Sequence, residues 1–149
     1  MHSAYLYMEV THGAPIRGNS TDSPYVGWFK LEGWQFIEDF RTRRKLSGLF
    51  CVVRNDRDAA TVSMAFEMGN LLAAWLDQVD DKGNEVMEIE LRQAVIYDVS
   101  PGSLNFSFSL LSNEITVNFG VVPPQHTTLA PQHVPTYNLQ AAKIRQAGR

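Results

Sequence analysis

The clearest structural signal in this chain is the stretch 87–92, which reads MEIELR. Its odd-numbered residues are apolar and its even-numbered residues are charged, so the side chains repeat with a period of two. This period is typical of a strand in an antiparallel sheet that has one face on a core and the other in water. The pattern therefore predicts a strand in which Glu88 and Glu90 are solvated.

Alternating segments of the same kind lie on both sides of this strand. The pattern predicts strands at 4–10, 26–39, 48–53, 71–79, 85–99, 104–110 and 115–120, of which 26–39 is one long or bent strand. Gly33 is expected to form a bulge inside the long aromatic segment, and the sequence DDKGN at 80–84 predicts a hairpin turn. The segment 38–47 has little apolar pattern and is interpreted as an exposed loop.

One helix is predicted between the third and fourth of these strands. Asp56 or Asp58 can cap its start, and Val62 contributes to a narrow apolar stripe. Gly69 supplies the left-handed position that ends many helices. The whole pattern predicts a mainly β fold, an antiparallel β-barrel or two-sheet sandwich with one short α-helix packed on it.

The sequence changes character after residue 122. Four prolines between positions 121 and 135 exclude a central strand there, and 138–146 has the composition of a short helix with a thin apolar edge. We therefore predict one β domain over 1–122 and a proline-rich extension over 123–149, mobile or docked on a partner.

Composition argues against several classes of function. The formal net charge is −3, from 16 acidic and 13 basic side chains, which is too balanced to predict nucleic acid or an acidic membrane as the main partner. The single cysteine, Cys51, allows no intramolecular disulfide, and its apolar neighbours predict a buried thiol. No apolar stretch approaches the ~20 residues that span a bilayer, and the N-terminus lacks the features of a secretory signal. We expect a protein made in the cytoplasm that is exported, if at all, without a cleaved signal.

Residues with catalytic or metal-binding chemistry are present, but their spacing matches no functional pattern. Ser20, His12 and Asp22 lie in one loop without a nucleophile-elbow motif and are interpreted as turn-stabilising residues. His126 and His133 are separated by a spacing that matches no zinc site. We therefore predict no enzyme activity, no cofactor and no metal site.

Two further features are typical of contacts between proteins. The basic run RTRRK at 41–45 contains no stacking aromatic residue, so a solvated loop or an inter-subunit contact is favoured over nucleic-acid binding. Trp28, Trp34 and Phe36 crowd one element, and this is compatible with an ordinary core, with a subunit interface, or with both.

Two ordered patterns extend the interpretation beyond fold class. The first is the strand 4–10, a loop with the spacing Gly-x-x-x-x-Gly-x-Ser over 13–20, and a second strand that carries Trp28 and Trp34. The second is a strand that ends at Asp56, followed by the short helix and the two strands that flank the 80–84 turn.

A third pattern completes the set near the end of the domain, where residues 115–120 read ITVNFG. This segment looks like the Ser-Leu-Asn-Phe-Gly strand of the Hcp (hemolysin-coregulated protein) family. Taken in order, the three patterns resemble that family over roughly residues 4–120. The family's last strand continues where this chain has Pro123 and Pro124, so the C-terminus diverges.

The resemblance implies a structural role. Members of the Hcp family form hexameric rings that stack head-to-tail into the inner tube of type VI secretion systems. A contracting sheath expels the tube with its spike, and small effectors can travel in the lumen. The implied partners are other copies of the chain, sheath and spike proteins and secreted effectors, without nucleic acid or membrane insertion.

The resemblance also implies where rings would stack, because the family's long loop after the second strand reaches the adjacent ring. The candidates for the stacking contact are this loop, at 39–47, and the turn at 80–84; their charged residues are Arg41, Arg43, Arg44, Lys45, Asp81 and Lys82. Two alternative functions remain open from the sequence: a phage-tail-tube-like assembly protein, and a stand-alone barrel that binds a small molecule or peptide.

Overall fold

Antiparallel strands account for most of the computed structural model, which describes residues 2–39 and 45–122, without the side chains of residues 45, 121 and 122. The elements in chain order are β1 (Ser3–Val10), β2 (Pro15–Ile16), β3 (Phe29–Leu31), β4 (Gly33–Asp39), β5 (Lys45–Arg54), α1 (Arg57–Met68), β6 (Leu72–Val79), β7 (Glu85–Pro101), β8 (Asn105–Leu111) and β9 (Glu114–Val122). No helix in the described ranges is long and apolar enough to cross a bilayer.

Strand β7 organises the sheet because it takes part in two sets of pairs. Its first half lies between β6 and β9, and its second half pairs with β8. The left-handed backbone of Gln93 (φ 49°) lies where the pairing changes. The strand order is β2-β1-β6-β7-β8-β5-β4, with β3 on β1 and β9 on β7. The mainly β, antiparallel fold is therefore confirmed, and the described strands form one folded sheet that does not close into a barrel.

The main core lies between the two halves of this folded sheet. Even-numbered residues of β1 and odd-numbered residues of β5 and β9 project into it, as a period of two requires. In β7 the core residues are Ile89 and Leu91 before Gln93 but Ala94 and Ile96 after it, because the irregularity at Gln93 shifts the alternation by one residue. Cys51 is fully buried there, which confirms the predicted buried thiol, and the burial raises the pKa of that thiol.

Helix α1 begins and ends as predicted. The Asp56 carboxylate accepts the Asp58 N–H at 2.9 Å and caps the first turn. Gly69 adopts φ 67°, and its N–H reaches the Ala65 and Phe66 carbonyls at 3.2 Å. Ala59 and Val62 pack into the main core, so the helix is held by its narrow apolar side.

Three local predictions were wrong. The aromatic segment 26–39 forms two strands separated at Glu32, whose N–H donates to the Val52 carbonyl at 2.7 Å where the chain turns from β3 into β4. Gly33 pairs regularly with Val52, and the irregularity lies between Ile37 and Glu38 instead. The interval 38–47 is strand at both ends, because cross-strand pairing extends further than its apolar pattern. The extension at 123–149 lies outside the described residues and stays a prediction.

Candidate functional site

A second layer of aromatic residues covers the side of the sheet opposite the main core. Tyr5 and Tyr7 of β1 project to this side, and Trp75 of β6 lies beside Tyr7. Residues 17–28, here called the covering loop, add Tyr25 and Trp28 from above. The loop therefore buries the face of the sheet that a simple alternating pattern assigns to water.

The rings of this layer are in direct contact. Tyr5 and Tyr25 stack with centroids 4.4 Å apart and nearly parallel planes. The Trp28 ring is fully buried, 5.0 Å from Tyr25 and 5.3 Å from Tyr7. Offset and tilted pairs at such separations add to the stabilisation that comes from burying the rings. Trp28 is thus a core residue of the domain.

The covering loop folds on itself before it packs on the sheet. Gly18 donates its N–H to the Gly27 carbonyl at 2.7 Å, and Gly27 donates to Ser20 at 2.8 Å. A Cβ on Gly18 would lie 2.5 Å from the Trp28 carbonyl oxygen, so only glycine allows this approach. The glycine and serine spacing in the sequence thus reflects a tight hairpin-like loop.

Asp22 fixes the covering loop to β1 and β3. Its carboxylate accepts the Tyr5 hydroxyl at 2.7 Å and pairs with the Lys30 ammonium at 2.8 Å, and these contacts hold the pKa of Asp22 below its usual range. Burial together with Asp22 raises the pKa of Tyr5 to about 12. Ser20 accepts the Asp22 N–H through Oγ at 3.1 Å, while His12 is exposed. These bonds confirm the turn-stabilising interpretation of Ser20 and Asp22.

Three carboxyl groups are buried beside the aromatic layer. Asp77, Glu85 and Glu88, here called the acidic cluster, are 0%, 2% and 7% exposed, and their nearest oxygens lie within 4.8 Å of one another. The Tyr25 hydroxyl donates to the Asp77 carboxylate at 3.1 Å. Burial and the adjacent Glu85 and Glu88 raise the pKa of Asp77 well above its usual range.

The prediction that Glu88 is solvated was therefore wrong. Alternation correctly separated the two faces of β7, but it carries no information on what covers the second face. Glu88 is buried because it lies opposite Asp77, next to the region that the covering loop encloses. Glu90, two residues further along, is more accessible to solvent than Glu88. Its carboxylate accepts a hydrogen bond from the Arg92 guanidinium at 2.9 Å.

A polar cleft of about 250 Å³ lies between the covering loop and the start of α1. Its walls carry charges of both signs. The basic residues are Lys30 and Arg54, and the acidic residues are Asp22, Glu32, Asp56 and Asp58. Asp58 is buried in its wall, where burial and then the Asp56 charge raise its pKa to about 6. Because the charges are mixed, the cleft is not matched to a simple anion or cation.

Asp58 gives a pH-dependent contribution to stability. Its folded pKa of about 6 lies above the ordinary value of 3.8, so this contribution is full below pH 3.8 and is lost as pH rises through about 6. We expect Asp58→Asn to raise the free energy of unfolding at pH 8 by roughly 2 kcal/mol relative to wild type, and by much less at pH 4. Urea titrations at both pH values check this, with the exposed Asp98→Asn as the control for loss of one charge. An equal effect at both pH values would contradict it.

The outer side of α1 presents apolar residues to solvent. Met64 and Met68 are about two-thirds exposed, and Leu71 follows them at the start of the next segment. Met64 and Met68 border an apolar groove of about 140 Å³ between the helix and the end of β1. Exposed apolar patches of this kind mark interaction surfaces in soluble proteins.

The predicted stacking residues are only partly placed. Asp81 and Lys82 are exposed in the hairpin turn between β6 and β7, where Asp80 accepts the Lys82 N–H at 2.9 Å. Arg41, Arg43 and Arg44 lie outside the described residues, as does the side chain of Lys45. Their role in stacking stays a prediction.

No protein-family model matches the chain, and no curated protein matches its sequence. Solved structures do match. A double mutant of Hcp1 from E. coli is 17% identical with a TM-score of 0.69, over 78% of this chain and 88% of that one. The secreted protein Hcp3 from Pseudomonas aeruginosa is 13% identical with a TM-score of 0.66, over 80% of this chain and 91% of that one.

A type VI secretion system effector from Yersinia pestis has the same fold, at 13% identity and a TM-score of 0.62, over 78% of this chain and 95% of that one. These likenesses extend over most of each protein, and they agree with the sequence patterns found between residues 4 and 120. The folded antiparallel sheet, its single described helix and its strand order therefore constitute an Hcp-like fold.

Proposed function

We propose that this chain is a tube protein of a type VI secretion system that assembles into hexameric rings. The rings stack into a tube that is exported without a cleaved signal and carries effectors in its lumen. The observation that carries this proposal is the likeness to several Hcp structures over about four-fifths of the chain. The role is mechanical, and sheath and spike proteins are its expected partners.

Strand edges offer one means of closing such a ring. Among the described strands, β4 and β9 each pair on one side only, which leaves backbone groups on the other side available for a neighbouring subunit. A closed ring requires two different surfaces on each subunit, joined by a rotation that closes. An edge strand and the exposed apolar residues of α1 are two different surfaces that could serve this purpose.

Oligomeric state tests the proposal directly. Native mass spectrometry of the purified full chain should show a hexamer, and negative-stain images at high concentration should show rings. A monomer at every concentration would overturn the proposal and favour a stand-alone binding domain. Long polymers without separable rings would favour the phage-tail-tube alternative.

The exposed methionines of α1 are expected to contribute to the ring interface. Replacing Met64 and Met68 together with lysine should raise the dissociation constant of the ring at least tenfold, because two ammonium groups would lose water on assembly. Native mass spectrometry over a concentration series measures this. Ala60→Lys, at an exposed position on the same helix, is the matched control. Unchanged rings in the double variant would exclude this face from the interface.

Stacking is expected to depend on the basic run after β4. Reversing the charges of Arg43 and Arg44 to glutamate should leave rings intact but weaken their stacking, because charge complementarity across ring faces would be lost. Analytical ultracentrifugation distinguishes single rings from stacks, and the wild-type stacks should also shorten as salt is raised. Loss of the rings themselves would instead place these arginines at the contact between neighbouring subunits of one ring.

A further inference from the structure

The acidic cluster extends across three neighbouring strands. Asp77 of β6 is directly opposite Glu88 of β7, and Glu88 is directly opposite Asn118 of β9. Side chains opposite each other in an antiparallel sheet project from the same face. One neighbour of each residue in the row, Leu76, Ile89 and Val117 respectively, packs into the main core, so this row projects to the side that the covering loop encloses.

Glu85 joins the row from further back along β7. The register of β7 shifts between Glu85 and Met87 against β9, which brings two glutamates three residues apart to one face. The nearest oxygens of Asp77, Glu85 and Glu88 all lie within 4.8 Å of one another. Two oxygens on opposite sides of a Ca²⁺ ion are about 4.6–5.2 Å apart, given its usual bond lengths, so one ion can contact all three carboxylates.

Burial makes this arrangement costly without a compensating positive charge. None of the three carboxyl groups is more than 7% exposed. An ionised carboxylate transferred from water to a protein interior loses far more free energy of hydration than a hydrogen bond returns. A proton or a cation shared among the three carboxyl groups would lower this cost.

Asn118 provides an independent indication that a further group binds beside the acidic cluster. Its side chain is 6% exposed, and its amide oxygen Oδ1 is buried with no hydrogen-bond donor among the described residues. A buried acceptor without a donor is destabilising. A cation shared with the carboxylates would satisfy this oxygen, and so would an O–H donated by a protonated Glu88 on the opposite strand; a titration with divalent cations distinguishes the two.

We propose that the acidic cluster and the Asn118 amide oxygen bind a hard divalent cation of the class that includes Ca²⁺ and Mg²⁺. Carboxylate and amide oxygens are the ligands such ions prefer, whereas soft metals select sulfur. The ion would join β6, β7 and β9 on the covered face. The Tyr25 hydroxyl of the covering loop donates to Asp77. The ion would therefore also stabilise the contact between the covering loop and the sheet.

Thermal unfolding tests the site on the purified full chain after treatment with a chelator. We expect CaCl₂ or MgCl₂, added separately at a hundredfold excess over the dissociation constant, to raise the Tm by about 5 °C or more. Isothermal titration calorimetry should give a stoichiometry of one ion per chain. No change in Tm with either ion up to 10 mM, together with no binding heat, would overturn the proposal in favour of a shared proton.

Two variants separate ion binding from a structural role. Glu88→Gln should abolish the rise in Tm produced by the cation, yet leave the chelated protein as stable as wild type, since it removes one buried charge. Asn118→Ala should raise the dissociation constant of the cation at least tenfold. This variant tests the site independently if Glu88→Gln does not fold. Glu90→Gln, on the same strand and bonded to Arg92, should respond to the cation like wild type. A wild-type response in both Glu88→Gln and Asn118→Ala would place the ion elsewhere and overturn the assignment.

Discussion

Replacing Gly48 with alanine is expected to destabilise the domain by about 3 kcal/mol or more, because overpacking between backbones cannot be relieved by a change of rotamer. Gly48 lies in β5, where it pairs with Leu111 of β8. A Cβ at this position would overlap the Leu110 carbonyl oxygen and lie 3.0 Å from the Leu111 side chain. The two strands could separate only by breaking their hydrogen bonds.

Gly33 provides a matched control for this prediction. It is also a strand glycine, in β4, but a Cβ added there meets nothing within 4 Å. We expect Gly33→Ala to change the free energy of unfolding by less than about 1 kcal/mol. Alanine lowers the conformational entropy of the unfolded chain, and this contribution stabilises the folded state. Urea denaturation followed by circular dichroism measures both variants, and equal effects would contradict the predicted backbone overlap.

Replacing Trp28 with alanine is expected to lower the free energy of unfolding by about 3–5 kcal/mol, the usual cost of truncating a fully buried aromatic residue. The indole lies at the centre of the aromatic layer opposite the main core, in contact with Tyr7 and Tyr25. Its loss would leave a cavity beneath the covering loop. Near-ultraviolet circular dichroism should therefore lose part of its aromatic signal even where the sheet remains folded.

Trp34→Ala is the matched comparison for this variant. Trp34 is only partly buried and packs edge-on against Phe36, with centroids 5.2 Å apart. Its truncation should cost clearly less than that of Trp28. Equal losses in urea denaturation would show that the aromatic layer under the covering loop adds no more stability than a half-exposed pair.

The helix and the strands flanking it could be predicted because their signals are local. Asp56 and Gly69 satisfy backbone groups within a few residues of themselves, so the sequence carries the whole interaction. The same holds for the hairpin turn, where Asp80 accepts the N–H groups of Lys82 and Asn84. Glu32, by contrast, ends β3 through a bond to Val52, a residue twenty positions away that no local pattern identifies.

The sequence by itself determined that this is a mainly antiparallel domain, which strand faces are apolar, and where the helix begins and ends. These properties follow from periodicity and capping, which act over a few residues. Only the tertiary structure decided what covers the second face of the sheet. The covering loop buries Trp28 there, and the pairing of β6, β7 and β9 brings Asp77, Glu88 and Asn118 into one row. That row depends on register between distant strands, and register is set by the packing of the whole sheet.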